Sequence, residues 1–245
     1  EFIIVVNRNG GLIQDYLAFP EGYNGLGAQL TQRFDPLINI LSKASVRYVQ
    51  QDEPKGLGHA VLCAADYVSD DYFAVILPDD IIVQHPPCLA QLIDIGTRLN
   101  GGALAVLEVP QDQVGLYGIV SADPTRIRGT HRIRELVEKP NPANAPSRLA
   151  IVGRYILSRL VFDSLRNQMP GANGEIQLTD AIASLLETHA VYACQLVGER
   201  HDVGNKLGLA RAAMRFALDD PEIAVAFREY AESLIRCKVI EGVLR

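Results

Sequence analysis

No apolar run in this sequence approaches the roughly 18 residues that a membrane-spanning helix needs. The longest runs, such as Phe2–Val6 and Phe73–Leu77, are strand-sized. The chain does not open on a basic-then-apolar leader, so a secretion signal is not expected and the protein reads as cytoplasmic, without a membrane partner. Cysteine is sparse. Cys63, Cys88, Cys194 and Cys237 are scattered with no CxxC pair, which points to reduced thiols rather than a disulfide framework. The histidines, His59, His85, His131, His189 and His201, never adopt an HExxH-like spacing, which argues against a zinc site. A Gly-x-Ser-x-Gly elbow is missing too, against a serine hydrolase. Positive charge is in deficit: the net charge of −6 disfavours a broad basic face for nucleic acid. Neither an internal repeat nor a low-complexity tract is visible.

What remains is an ordinary globular composition, 48% hydrophobic and 21% charged over 245 residues, enough for one large α/β domain with a buried core. Strand-like and helical stretches alternate. Strands are expected at 1–6, 45–51, 72–77 and 103–109, and helices at 12–18, 28–42, 57–68 and 87–99. That order predicts a parallel sheet with helices on both faces. After residue 110 the pattern turns β-rich, with strands expected at 118–121, 133–138 and 149–157. Helices return at 159–167 and 176–188, and one more strand is expected at 191–197. Residues 206–238 read as helical, broken near Asp219-Asp220-Pro221. The simplest division is a domain over 1–218 and a helical extension over 219–245.

Five stretches can carry chemistry. Pro54-Lys55-Gly56-Leu57-Gly58-His59 joins a strand to a helix through two glycines, which permit close backbone approach to a ligand. It matches neither GxGxxG nor a Walker loop, and a plain helix-start turn is the competing reading. Leu77-Pro78-Asp79-Asp80 follows an apolar strand, the end where open α/β sheets bind ligands. A carboxylate there suits magnesium, though both aspartates could instead cap the next segment. His201-Asp202-Val203-Gly204-Asn205 offers a second carboxylate, with a helix N-cap as its ordinary role. Val137-Glu138-Lys139-Pro140 places adjacent charges that normally face opposite sides of a strand, unless a twist or bulge turns both into a cleft. Glu175 and Asp180 lie where a glycine-rich turn enters a helix. They face either a sugar or simply the helix dipole.

The order of these stretches carries more than any one of them. Gln51, Lys55–Ala60, Leu77-Pro78-Asp79, Tyr117–Val120, Val137–Pro140, Ala150–Tyr155, Gly174–Ile182 and His201–Gly208 together resemble the bacterial UTP–glucose-1-phosphate uridylyltransferases, over residues 1 to about 218. The resemblance implies a Rossmann-like nucleotidyltransferase fold: a mixed, mostly parallel sheet flanked by helices, a β-rich sugar-binding insertion and C-terminal helices. It implies UTP and glucose 1-phosphate as substrates, magnesium as cofactor, and a homo-oligomer, dimer or tetramer. Gln51 and Gly56 would read the uracil. Asp79 and Asp202 would hold magnesium. Gly118, Glu138 and Glu175 would meet the glucose, and Lys139 its phosphate.

The pattern is incomplete at one end. The family's Gly-x-Gly-Thr-Arg loop does not occur here, and the chain opens on a core-like strand without a methionine, so an upstream segment is expected. A related thymidylyltransferase, or a non-catalytic sugar-nucleotide-binding or assembly subunit, are the alternatives.

Overall fold

A computed structural model of the chain describes residues 1–8, 10–17, 39–171 and 174–243. Most of the helix expected at 28–42, and the Gly22–Gly27 stretch, lie outside the described residues. Strand β1 (Phe2–Val6) pairs in parallel with β2 (Val46–Gln50), and helix α1 (Gly11–Leu17) lies between them in sequence. Gln51 extends this pair by donating its backbone N–H to Val6 O at 2.8 Å. The end of β2 therefore sets where the Gln51 side chain begins.

The main sheet has six strands: β3 (Tyr72–Ile76), β5 (Gly102–Glu108), β6 (Gly118–Pro124), β7 (Thr130–Glu138), β8 (Leu149–Ser158) and β9 (Val191–Gln195). Their order is β3-β8-β5-β9-β7-β6, and β8 also pairs with β6. Four of the six, β3, β5, β9 and β6, run one way. As neighbours, however, only β5 and β9 are parallel, because β8 and β7 insert antiparallel between like-directed strands. The sheet is mixed, as expected, and its parallel share is smaller by pairing than by direction. The β-rich stretch after residue 110 belongs to this same sheet, since β6 and β7 hydrogen-bond to β8 and β9.

Helices cover both faces. Strand β5 shows how: its alternate residues pack in opposite directions. Leu104 and Val106 join Leu165 of α4 (Val161–Asn167) and Leu178 and Ile182 of α5 (Leu178–Leu185) on one face. Ala103 and Ala105 join Leu92 and Ile95 of α3 (Cys88–Leu99) on the other. Burial on both faces is why β5 reads as a continuous apolar run. Helix α2 (Leu57–Cys63) stops five residues short of the expected end, and a 3-10 turn at Ala65–Tyr67 follows. Helix α5 begins later than expected because Gln177 is extended and Ile176 is hydrogen-bonded to the Lys55–Gly58 turn.

One element was not foreseen. Strand β4 (Asp80–Val83) and strand β10 (Glu199–Asp202) form a separate antiparallel ribbon, with Asp80 opposite Asp202. Helices α6 (Lys206–Asp219) and α7 (Ala224–Val243) then follow, with the break near Pro221 where it was expected. No helix of the described residues is long and apolar enough to cross a membrane.

Candidate active site

The β4–β10 ribbon brings Asp79 and Asp202 together. Val203 N donates to Asp79 O at 2.8 Å, which ties the two turns at the backbone. Gly204 lies between the carboxylates: a Cβ added there would stand 2.9 Å from Asp79 Oδ2 and 3.3 Å from Asp202 Oδ1. Both side chains thus border one small space that only glycine leaves open. Asp202 Oδ1 accepts from Gly204 N at 3.1 Å, and the cap of α6 is instead Asn205, which accepts from Gly208 N at 2.8 Å. Asp202 is therefore free of the capping role that its position allowed.

Charge lies beneath this pair. Asp80 is only 4% exposed. Its Oδ2 accepts from Gly153 N at 2.8 Å and its Oδ1 accepts from Arg200 Nε at 2.6 Å. Arg200 Nη2 is 2.6 Å from Asp80 Oδ1 and 3.7 Å from Asp202 Oδ2. Nη1 donates to the Tyr117 hydroxyl at 3.3 Å. Burial alone would lower the Arg200 pKa, but Asp80 and Tyr117 outweigh it and the net shift is upward. Arg154 braces the same turn: it donates to Leu77 O at 2.9 Å, Gly153 O at 2.8 Å and Asp80 O at 2.6 Å. Burial, then the carboxylates of Glu138 and Asp80, push the Tyr155 hydroxyl well above its ordinary range.

Tyr117 leads to a second group. Gly118 pairs with Glu138 across β6 and β7. Glu138 Oε2 accepts from Thr179 Oγ1 of α5 at 2.7 Å. A Cβ on Gly118 would meet Thr179 Oγ1 at 3.0 Å and Glu138 Oε2 at 3.2 Å, so glycine keeps the carboxylate's edge accessible. Lys139 has φ +43°, a left-handed conformation that non-glycine residues rarely hold. This breaks the strand's alternation, and Lys139 Nζ comes to 3.7 Å from Glu138 Oε1. The two adjacent charges are therefore neighbours rather than on opposite faces.

The third group surrounds Gln51. Its Nε2 donates to Gly56 O at 3.2 Å and lies 2.9 Å from His59 Nδ1. Gly56 has φ +89°, and a Cβ there would fall 2.9 Å from Glu175 Cβ. The turn is clasped by residue 176: Ile176 N donates to Lys55 O at 2.8 Å, and Gly58 N donates to Ile176 O at 2.9 Å. Glu175 Oε2 accepts from Gln177 Nε2 at 2.9 Å. Among the described contacts Glu175 touches the Gln51 group, while Thr179, a turn later, reaches Glu138. Among the described contacts the Asp180 carboxylate accepts from Gln168 Nε2 at 3.4 Å.

The sequence-expected residues thus gather into three neighbouring groups, with Asp80, Arg154, Arg200, Thr179 and His59 as additions. Asp80, Arg154, Thr179 and His59 stand inside the motifs named above and Arg200 adjoins one, but membership of a motif does not distinguish a partner from a solvated side chain. No group of three or more His, Cys, Asp or Glu able to hold a metal occurs among the described residues. A cation bound by Asp79 and Asp202 would complete its shell from phosphate oxygens and water, the arrangement magnesium favours. An apolar hollow of about 440 Å³, lined by Tyr72, Phe73, Ile93, Thr97 and Ile156, lies between β3 and α3, apart from these groups.

Comparison with known proteins identifies the family. The nucleotidyl transferase family profile matches residues 26–218. A UTP–glucose-1-phosphate uridylyltransferase of Bacillus subtilis is 38% identical over 238 residues, covering 96% of this chain and 81% of the relative. A crystal structure of UDP-glucose pyrophosphorylase complexed with UDP-glucose superposes with a TM-score of 0.80 at 31% identity, covering 89% of this chain and 82% of that one. A UTP-bound UGPase from Acinetobacter baumannii gives 0.76 at 31% identity, covering 95% and 83%. The chain belongs to the nucleotidyl transferase family and, within it, to the UTP–glucose-1-phosphate uridylyltransferases.

Proposed function

We propose that the protein transfers a uridylyl group from UTP to glucose 1-phosphate, giving UDP-glucose and pyrophosphate. The observation that carries this is the meeting of Asp79 and Asp202 around Gly204, flanked by the Gln51 group and the Glu138–Lys139 group. Family membership supplies the substrates. A phosphate oxygen of glucose 1-phosphate attacks the α-phosphorus of UTP in line. The new P–O bond forms as the bond to the β-phosphate oxygen breaks, and pyrophosphate leaves with that electron pair. The protein's task is positioning and charge neutralisation.

Magnesium held by Asp79 and Asp202 would neutralise phosphate charge. Gln51 and the Gly56 backbone hold the base. Lys139 Nζ binds the phosphate of glucose 1-phosphate, and Glu138 accepts a sugar hydroxyl in the space that Gly118 leaves. Glu175 completes the wall between base and sugar. The exposed apolar side chains of α6 and α7, among them Leu207, Leu209, Val225 and Tyr230, support a homo-oligomer built on these helices. A reaction that consumes UTP is assigned to the cytoplasm.

Pyrophosphate release, measured with magnesium and glucose 1-phosphate across UTP, dTTP and CTP, tests the reading. Release is expected to be fastest with UTP. Release confined to another nucleotide, or none with UTP, overturns it.

A further inference from the structure

The clasp around Gln51 also determines which way its amide points. A backbone carbonyl can only accept a hydrogen bond. The part of the Gln51 amide 3.2 Å from Gly56 O must therefore be the NH2, which settles the O/N assignment on chemical grounds. The second hydrogen of that NH2 points at His59 Nδ1, 2.9 Å away. Nδ1 then accepts, so the neutral ring carries its proton on Nε2. The Cys63 thiol, 4.0 Å from the same Nδ1, is compatible with an accepting nitrogen. With both N–H groups turned inward, Gln51 Oε1 has no partner among the described residues. What Gln51 presents outward is an acceptor alone.

We propose that His59 is a specificity-determining residue that acts through Gln51. Together with Gly56 O, it holds the amide NH2 inward and leaves Oε1 as the acceptor at the base site. That arrangement selects bases with an imide N–H, uracil and thymine, and opposes cytosine, whose N3 is itself an acceptor. Two facing acceptors lose the hydrogen bond and leave both groups unpaired. The inference rests on the reading that Gln51 meets the base. It does not involve the distinction between UTP and dTTP, which share the imide edge.

The test is titration calorimetry of UTP and CTP, without sugar phosphate, on wild type, His59→Ala, His59→Asn, Gln51→Ala and the His59→Ala/Gln51→Ala double variant. His59→Ala is expected to lower the UTP-over-CTP affinity ratio about tenfold or more, the size of one lost hydrogen-bond preference. His59→Asn keeps an acceptor near the Nδ1 position and is expected to retain most of the ratio. In the Gln51→Ala background, His59→Ala is expected to change nothing further. A ratio that collapses in Gln51→Ala but survives in His59→Ala overturns the role of His59 and leaves the base reading intact. A ratio that survives Gln51→Ala overturns the base reading itself, and the role of His59 with it.

Discussion

Arg200→Ala isolates the buried ion pair beneath the carboxylates. Asp80 is 4% exposed, and the Arg200 side chain is 14% exposed. Removing the guanidinium leaves the Asp80 carboxylate buried, with the Gly153 N–H as its remaining described donor. Breaking a buried pair from one side costs about 3–5 kcal/mol, because an uncompensated charge stays behind. In a chain of this size each kcal/mol shifts the melting midpoint by roughly 2–4 °C. Arg200→Ala is therefore expected to melt roughly 6–20 °C below wild type, followed by circular dichroism at constant pH. Adding Asp80→Asn removes the stranded charge and is expected to recover part of the loss, giving a coupling of about 1–3 kcal/mol in a double-mutant cycle. A loss below about 1 kcal/mol, the range of an exposed pair, would refute the reasoning.

Other expectations follow from single groups. Burial, chiefly, pushes the Cys194 thiol up to about 12. The unfolded thiol ionises first, so the folded state holds the extra proton and stability falls as pH rises above about 9. Between pH 9 and 11 that fall is expected to be steeper in wild type than in Cys194→Ala, by about 1.4 kcal/mol per pH unit, and urea titrations at stepped pH measure it. Gly58→Ala would put Cβ 2.6 Å from Ile176 O, a backbone atom that cannot swing aside. It is expected to cost about 1–3 kcal/mol in urea unfolding and to weaken UTP binding in a direct titration. Lys139→Ala is expected to raise the KM for glucose 1-phosphate about tenfold while sparing that for UTP. Lys139→Gly should be more stable than Lys139→Ala by about 1 kcal/mol, because glycine accepts φ +43° without strain.

Much of this arrangement is legible in the sequence, for identifiable reasons. β5 reads as a buried strand because both its faces are covered, and the break at Pro221 is local chemistry. Gln51, Asp79 and Asp202 are visible because the order of the motifs that hold them resembles the uridylyltransferases. The β4–β10 ribbon is not legible. Its strands are four residues each, lie far apart in the chain, and carry mixed polar residues without clean alternation. The Asp80–Arg200 pair depends on that ribbon and is hidden with it. The sheet's pairing is similarly obscured: β8 lies between β3 and β5 although it follows both, and periodicity says nothing of strand order. Lys139's left-handed backbone has no signature in its residue type. The late start of α5 reflects the contact of Ile176 N with Lys55 O, a distant segment, whereas α2 ends in local 3-10 hydrogen bonds around Ala64–Tyr67.

Manganese binding, read by electron paramagnetic resonance in the presence of UTP, tests most directly whether Asp79 and Asp202 form one cation site. Wild type is expected to bind one ion tightly in the UTP complex. Asp79→Ala and Asp202→Ala are each expected to weaken that ion by about tenfold or more, by similar amounts, since each removes one ligand of the same cation. Unchanged manganese affinity in both variants, with UTP still bound, would contradict the shared site.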